Sequence, residues 1–242
     1  MNKLMRSLWV GLCILMLTAG AAAGGSNPEI LAEAHSLLAT KEVPNIERAI
    51  ELLEAFLAQT EENSELLWSL AKAYLYLGDR SEDNKLNLFE TGKAYADRAV
   101  AADANNPHAY YWQGALIGRI GQTKGILNSL FMIKPLQQAM ERVLEIDDQY
   151  ADAYFVLSNL YDQAPGWPIS VGNRNKALEM IEIALELDPD NPSYLVQLAK
   201  VLVSHRRRDE ALQVLSAAFA HPEMEIDQIL RSDAEKLLAE LQ

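Results

Sequence analysis

The stretch NKALEMIEIALELDPDNPSYLVQLAKVL, residues 175–202, decides the architecture. Its apolar residues recur three and four positions apart on both sides of a break, the spacing that lines one face of a helix. Asp188-Pro189 and Asn191-Pro192 interrupt the chain between the two halves, because proline removes a backbone donor and clashes with the preceding turn. The segment is therefore the end of one helical hairpin and the start of the next.

Working outward in one register, the same unit recurs. A first-helix quartet is found at Leu67, Leu70, Ala71 and Tyr74, at Tyr110, Gln113, Gly114 and Ile117, at Tyr154, Leu157, Ser158 and Tyr161, and at Leu195, Leu198, Ala199 and Leu202. Its third member is small each time, as close approach between helices requires. Second-helix columns follow at Gly92 and Ala99, Leu136 and Val143, Ala177 and Ala184, and Ala211 and Ala218. This large-small-large pattern is that of the tetratricopeptide repeat, a helical hairpin of about 34 residues. A degenerate earlier unit fits Leu31, Ala34, Leu38, Ala49 and Phe56, with His35 in its small-residue slot. The reading is an all-α solenoid of about five hairpins, closed by a capping helix from about Asp227 to Leu241.

The small column is spaced too widely. Ala71 to Gly114 is 43 residues, Gly114 to Ser158 is 44, and Ser158 to Ala199 is 41, so three consecutive units carry about seven to ten extra residues each. All the extra chain falls between first and second helices, in YLGDRSEDNKLNLFETG, GRIGQTKGILNSLFMIKP and DQAPGWPISVGNRNK. Insertions at equivalent points emerge on one edge of a solenoid, so the three are expected to meet. They are rich in Leu86, Leu88, Phe89, Ile126, Leu127, Leu130, Phe131, Met132, Ile133, Trp167 and Ile169, which implies either a small core of their own or the lining of a cavity.

The N-terminus carries Lys3 and Arg6, the apolar run LWVGLCILML, then TAGAAAGGS. A charged start, a short apolar segment and small residues form a secretory signal, too short to span a bilayer comfortably. Residues 1–23 are expected to be removed after Ala23, with Ala21 the other candidate, leaving residues 24–242 as a single helical domain. Cys13, preceded by bulky Leu12 inside the apolar run, does not suit lipidation. It is also the one cysteine, so the exported chain would have no disulfide or thiolate chemistry. With 21 Lys and Arg against 34 Asp and Glu, the net charge is −13, which argues against nucleic acid as a partner.

No catalytic or metal motif emerges. His35, His108, His205 and His221 lack ligand spacing, and there is no nucleophile elbow, phosphate-binding glycine loop or calcium loop. Asp79, Glu82 and Asp83 are the only dense acidic supply in the inserts, the requirement for a hydrolase site there. The expectation is a non-enzyme with no cofactor.

The segments YYWQGALIGRIGQTKGILNSLFMIKPLQQAMERVLEID and YFVLSNLYDQAPGWPISVGNRNKALEMIEIALELDPDN resemble the T-component family of tetratricopeptide-associated tripartite (TRAP-type) transporters, over about residues 64–220. The matching elements are Tyr111-Trp112, Gly118-Arg119, Lys124-Gly125 with Leu127, Pro165-Gly166-Trp167-Pro168 and Gly172-Asn173. The resemblance implies a periplasmic homotrimer that docks a solute-binding P-component and hands a hydrophobic or organic-acid ligand to a membrane permease. It differs in lacking a convincing lipidation site. On this reading the pore lining is Tyr111, Trp112, Arg119, Lys124, Leu127, Phe131, Pro165 and Trp167, and the structural turns are Gly118, Gly125, Gly166, Pro168, Gly172 and Asn173. The rival expectation is an envelope scaffold that binds peptides in the ordinary concave groove and tolerates loss of Trp167.

Overall fold

The computed structural model describes residues 27–242; the expected leader, residues 1–23, lies outside them. Five hairpins follow one another: α1 Asn27–Ala39 with α2 Val43–Leu57, α3 Ser64–Arg80 with α4 Lys85–Ala102, α5 Pro107–Lys124 with α6 Ile126–Ile146, α7 Ala151–Gln163 with α8 Arg174–Leu187, and α9 Pro192–Ser204 with α10 Arg208–Phe219. A single turn, α11 Glu223–Ile226, leads into the closing helix α12, Gln228–Glu240. No strand occurs among the described residues, and no helix there is long and apolar enough to cross a membrane.

The joints explain the boundaries. Asn63, Asn106, Asn173, Asn191 and Asp227 precede helices, and each side chain accepts hydrogen bonds from backbone N–H groups of the first turn. Each such cap is worth roughly 1 kcal/mol. Pro107 and Pro192 sit in the first turn, where a missing N–H costs nothing.

The small column is where helices touch. Ala71 and Ala199 are fully buried, and Ser158, equally buried, donates its hydroxyl to the Ala177 carbonyl at 2.7 Å. A Cβ at Gly114 would collide with the Met140 side chain. Around these contacts runs a continuous apolar seam from Leu31 and Leu38 at one end to Leu237 and Leu241 at the other.

The extra residues of the middle hairpins are not the long loops that the spacing suggested. They lengthen the helices instead: α3 to α6 have 17, 18, 18 and 21 residues, against 13 and 12 in α9 and α10. The polar Ser81–Asn84 link suffices between α3 and α4, and Gly125 alone turns α5 into α6, at φ +93, a conformation that side chains resist. Only the third insert is irregular. Its ends are pinned by Gly172 N–H to the Pro165 carbonyl at 2.9 Å and Asn173 N–H to the Tyr161 carbonyl at 2.8 Å.

The solenoid curls far enough for its two ends to touch. Lys41, at the α1–α2 corner, places its ammonium 3.1 Å from Asp227 at the start of α12. The array is thereby closed into a ring by side chains 186 positions apart.

Candidate functional site

Inside the ring lies a cavity of about 840 Å³. Its apolar walls come from four hairpins and the closing helix, with Leu75, Trp112, Leu136, Val156, Leu160 and Leu230 representative. Gln122, Asn159 and Gln197 supply amides, and charge is concentrated where the ring ends meet, at Lys41, Arg80, Asp227 and Asp233. A room this size, mostly apolar with a few polar groups, has the character of a binding site.

The charges form a linked set. Arg80 reaches Asp227 at 3.5 Å and donates its Nε–H to the Lys41 carbonyl at 2.7 Å, and Lys41 also lies 3.8 Å from Glu223. Burial works against the Lys41 charge, but Tyr76, Asp227 and Glu223 outweigh it and hold its pKa above the usual value. Burial likewise opposes ionisation of Asp227, yet Lys41, the α12 backbone and Arg80 leave its pKa lowered. Next to Arg80 along α3, Asp79 pairs with Arg119 at 2.9 Å.

A second polar feature links the first helices of successive hairpins. Lys72 stands 5.6 Å from the ring centres of both Tyr76 and Trp112, and burial, helped by Lys41, lowers its pKa. Asp152 accepts a 2.6 Å hydrogen bond from the Tyr194 hydroxyl, and burial raises its pKa despite that bond and Lys72. Beside them Trp68 is sandwiched between His35 and His108, with ring centres 5.1 and 4.9 Å away. His108 continues to Tyr150, its Nδ1 lying 2.8 Å from the hydroxyl. Burial and the Lys72 charge depress both histidines.

The sequence-derived site residues divide sharply. Tyr111, Trp112, Arg119 and Pro165 line the cavity, as do Ile126, Leu130, Met132 and Ile133 of the second insert. Lys124 does not; it pairs with Glu90 at 2.7 Å. Leu127, Phe131 and Trp167 face solvent at 74%, 78% and 90% exposure, with Ile169 beside them at 73%. The insert-enclosed hollow with Trp167 at its wall is thus corrected: the bonds at both ends of the third insert hold its base against α7 and leave residues 166–170 at an outer tip. Phe89 has a different fate again, buried against Gly78 in the core.

Of the expected turn residues, Gly118 is no turn but a position inside α5, where a Cβ would come within 2.8 Å of Leu136. Gly172 is needed because a Cβ there would strike the Ala164 carbonyl, while Gly166 has room for one. Asn173 caps α8, and Pro168 follows a cis peptide bond. Sequence reasoning missed Lys41, Lys72, Asp152 and Asp227. The available signal was the repeat period itself: Asp152 and Tyr194, His108 and Tyr150, and Asp162 and Ser204 are each bonded 42 positions apart.

A family model described as regulator of microtubule dynamics protein 1-3 matches residues 30–161, more than half of the chain. The chain belongs to that family. A tetratricopeptide repeat model matches residues 170–225, continuing the array. Protein CTR9 homolog of Arabidopsis thaliana is 29% identical over 161 residues, 64% of this chain, and the match spans 12% of that protein's length. Among solved structures, a thermophilic TPR protein of Thermus thermophilus superposes with a TM-score of 0.70 at 20% identity, covering 88% of this chain and 100% of that one. MamA from Desulfovibrio magneticus RS-1, residues 41 to the end, gives 0.51 at 20% identity over 81% of this chain and 95% of its own. At these identities the structural matches speak to the fold alone, a tetratricopeptide solenoid. None of these matches is to the transporter T-component family that the inserts resemble.

Proposed function

We propose that this family member is a non-catalytic scaffold that holds an extended segment of a partner protein inside its ring. The cavity of about 840 Å³ carries the reading: four successive repeats contribute equivalent faces to it, so an extended chain would meet apolar walls and amide groups repeatedly along its length. The family's description names microtubule dynamics as the process its members regulate, and a partner drawn from that machinery fits an adaptor role. A photo-crosslinking residue at Val156, inside the cavity, should capture the partner, whereas the same residue at Glu179 on the exposed side of α8 should not. Equal capture from both positions would refute binding in the ring.

A second reading is favoured by the overlap between the cavity lining and the transporter-like motif, namely Tyr111, Trp112, Arg119 and Pro165. In it the chain is a periplasmic accessory of a tripartite transporter, assembles as a homotrimer, docks a solute-binding P-component and passes a small apolar or organic-acid ligand onward to a permease. The native mass of the complex and co-purification with a solute-binding partner test it directly. A monomer that ignores such a partner removes it.

A further inference from the structure

We propose that Lys41, Arg80, Asp227 and Glu223 form a breakable clasp, through which the ring opens between its first hairpin and its closing helix to admit the occupant of the cavity. The proposal rests on the cavity being the partner site and adds how that site is entered.

Four observations carry it. First, the joint is made of charge. Lys41 and Arg80 meet Asp227 at 3.1 and 3.5 Å, whereas every neighbouring joint in the solenoid is an apolar seam; α12 itself packs on α9 to α11 through Ala234, Leu237 and Leu241. Interior packing resists separation, but an ion pair gives back much of its attraction when its partners regain water, so such a joint can part at low cost.

Second, each lip is tied to its own side. Arg80 Nε–H on the Lys41 carbonyl fastens the α1–α2 corner to the end of α3, and the Asp227 carboxylate accepts N–H bonds from Ile229 and Leu230 as the cap of α12. Breaking the inter-lip pairs therefore leaves two intact bodies, as a hinged opening requires.

Third, Lys41, Arg80 and Asp227 are themselves cavity wall, so parting them widens the chamber. Fourth, the same side chains are only 18%, 12% and 14% exposed while closed. Opening returns three charged groups to water, and an acidic side chain on an incoming segment is positioned to take Asp227's place on Lys41 and Arg80.

The experiment measures the gap without any partner. In full-length chain carrying Cys13→Ser, nitroxide labels at Glu47→Cys and Lys236→Cys, both exposed, report the separation of the lips by double electron–electron resonance. Asp227→Asn keeps an oxygen to cap α12 and removes the charge; Lys41→Gln removes the charge from the other lip and touches no cap. Both should lengthen or broaden the distance by about 5 Å or more, one helical pitch, with unchanged helical circular dichroism, and added salt should move the parent chain the same way. Parent-like distances in both variants overturn the clasp. A ring that opens while Val156 captures nothing keeps the clasp and refutes the partner reading; capture at Val156 with immovable lips does the reverse.

Discussion

The second and third inserts occupy equivalent places in neighbouring hairpins and behave in opposite ways. In the second, residues able to extend a helix do so on either side of the turn at Gly125, and α6 turns Leu130, Met132 and Ile133 into the cavity. In the third, Pro165, Pro168 and two glycines forbid a helix, and the chain forms an outward tip carrying Trp167 and Ile169. Apolar content does not decide where an insert goes. Backbone grammar does: a continued helix inherits the inward face of its hairpin, and a loop pinned at its base has no such face to inherit.

The contrast can be broken most forcefully at the root of the second insert's hairpin. Met140→Ala removes a fully buried side chain packed on Gly114 and should cost about 2–5 kcal/mol, read as a lower urea midpoint at constant slope. At the base of the third insert, Gly172→Ala drives a methyl group into the Ala164 carbonyl and should cost about 1–3 kcal/mol. Gly166→Ala, with only ordinary contact nearby, should stay within about 0.5 kcal/mol of the parent. If the two glycine variants were equally stable, the pinned base would not be what fixes the tip.

Acid sharpens the comparison from the stacked first helices. His35 and His108 have pKa values held below the ordinary histidine value of 6.5 by burial and by Lys72, so the unfolded chain binds more protons than the folded one. Their contribution is whole above pH 6.5 and is lost as pH falls below it. The urea midpoint of the parent should fall across that window, and a variant with both histidines changed to Gln should respond less. The smallest effect belongs to the outer tip. Trp167→Ala, at 90% exposure, should leave the midpoint within about 0.5 kcal/mol and leave capture at Val156 intact; loss of capture would move the binding surface from the ring interior to its edge.

Much of the array is legible from residues alone because its signals are local. The column Ala71, Gly114, Ser158 and Ala199, the asparagine caps and the closing helix expected from Asp227 can each be read within a single hairpin. Tyr111, Trp112 and Arg119 are visible by resemblance and lie on the cavity wall. The inserts were harder to read: extra length announces itself, but whether it becomes helix or loop turns on a few residues such as Gly125 and Pro165. The ring closure had no local trace, since the attraction between Lys41 and Asp227 depends on the accumulated rotation of five hairpins.

The stack running from His35 through Trp68 and His108 to Tyr150 touches each of the first four hairpins in turn. Along the stacked hairpins, each of which packs mainly on its immediate neighbours, such a spine ties the melting of one hairpin to that of the next. Hairpins one to four should lose their amide protection together, as a block, while α10 and α12 fray on their own schedule.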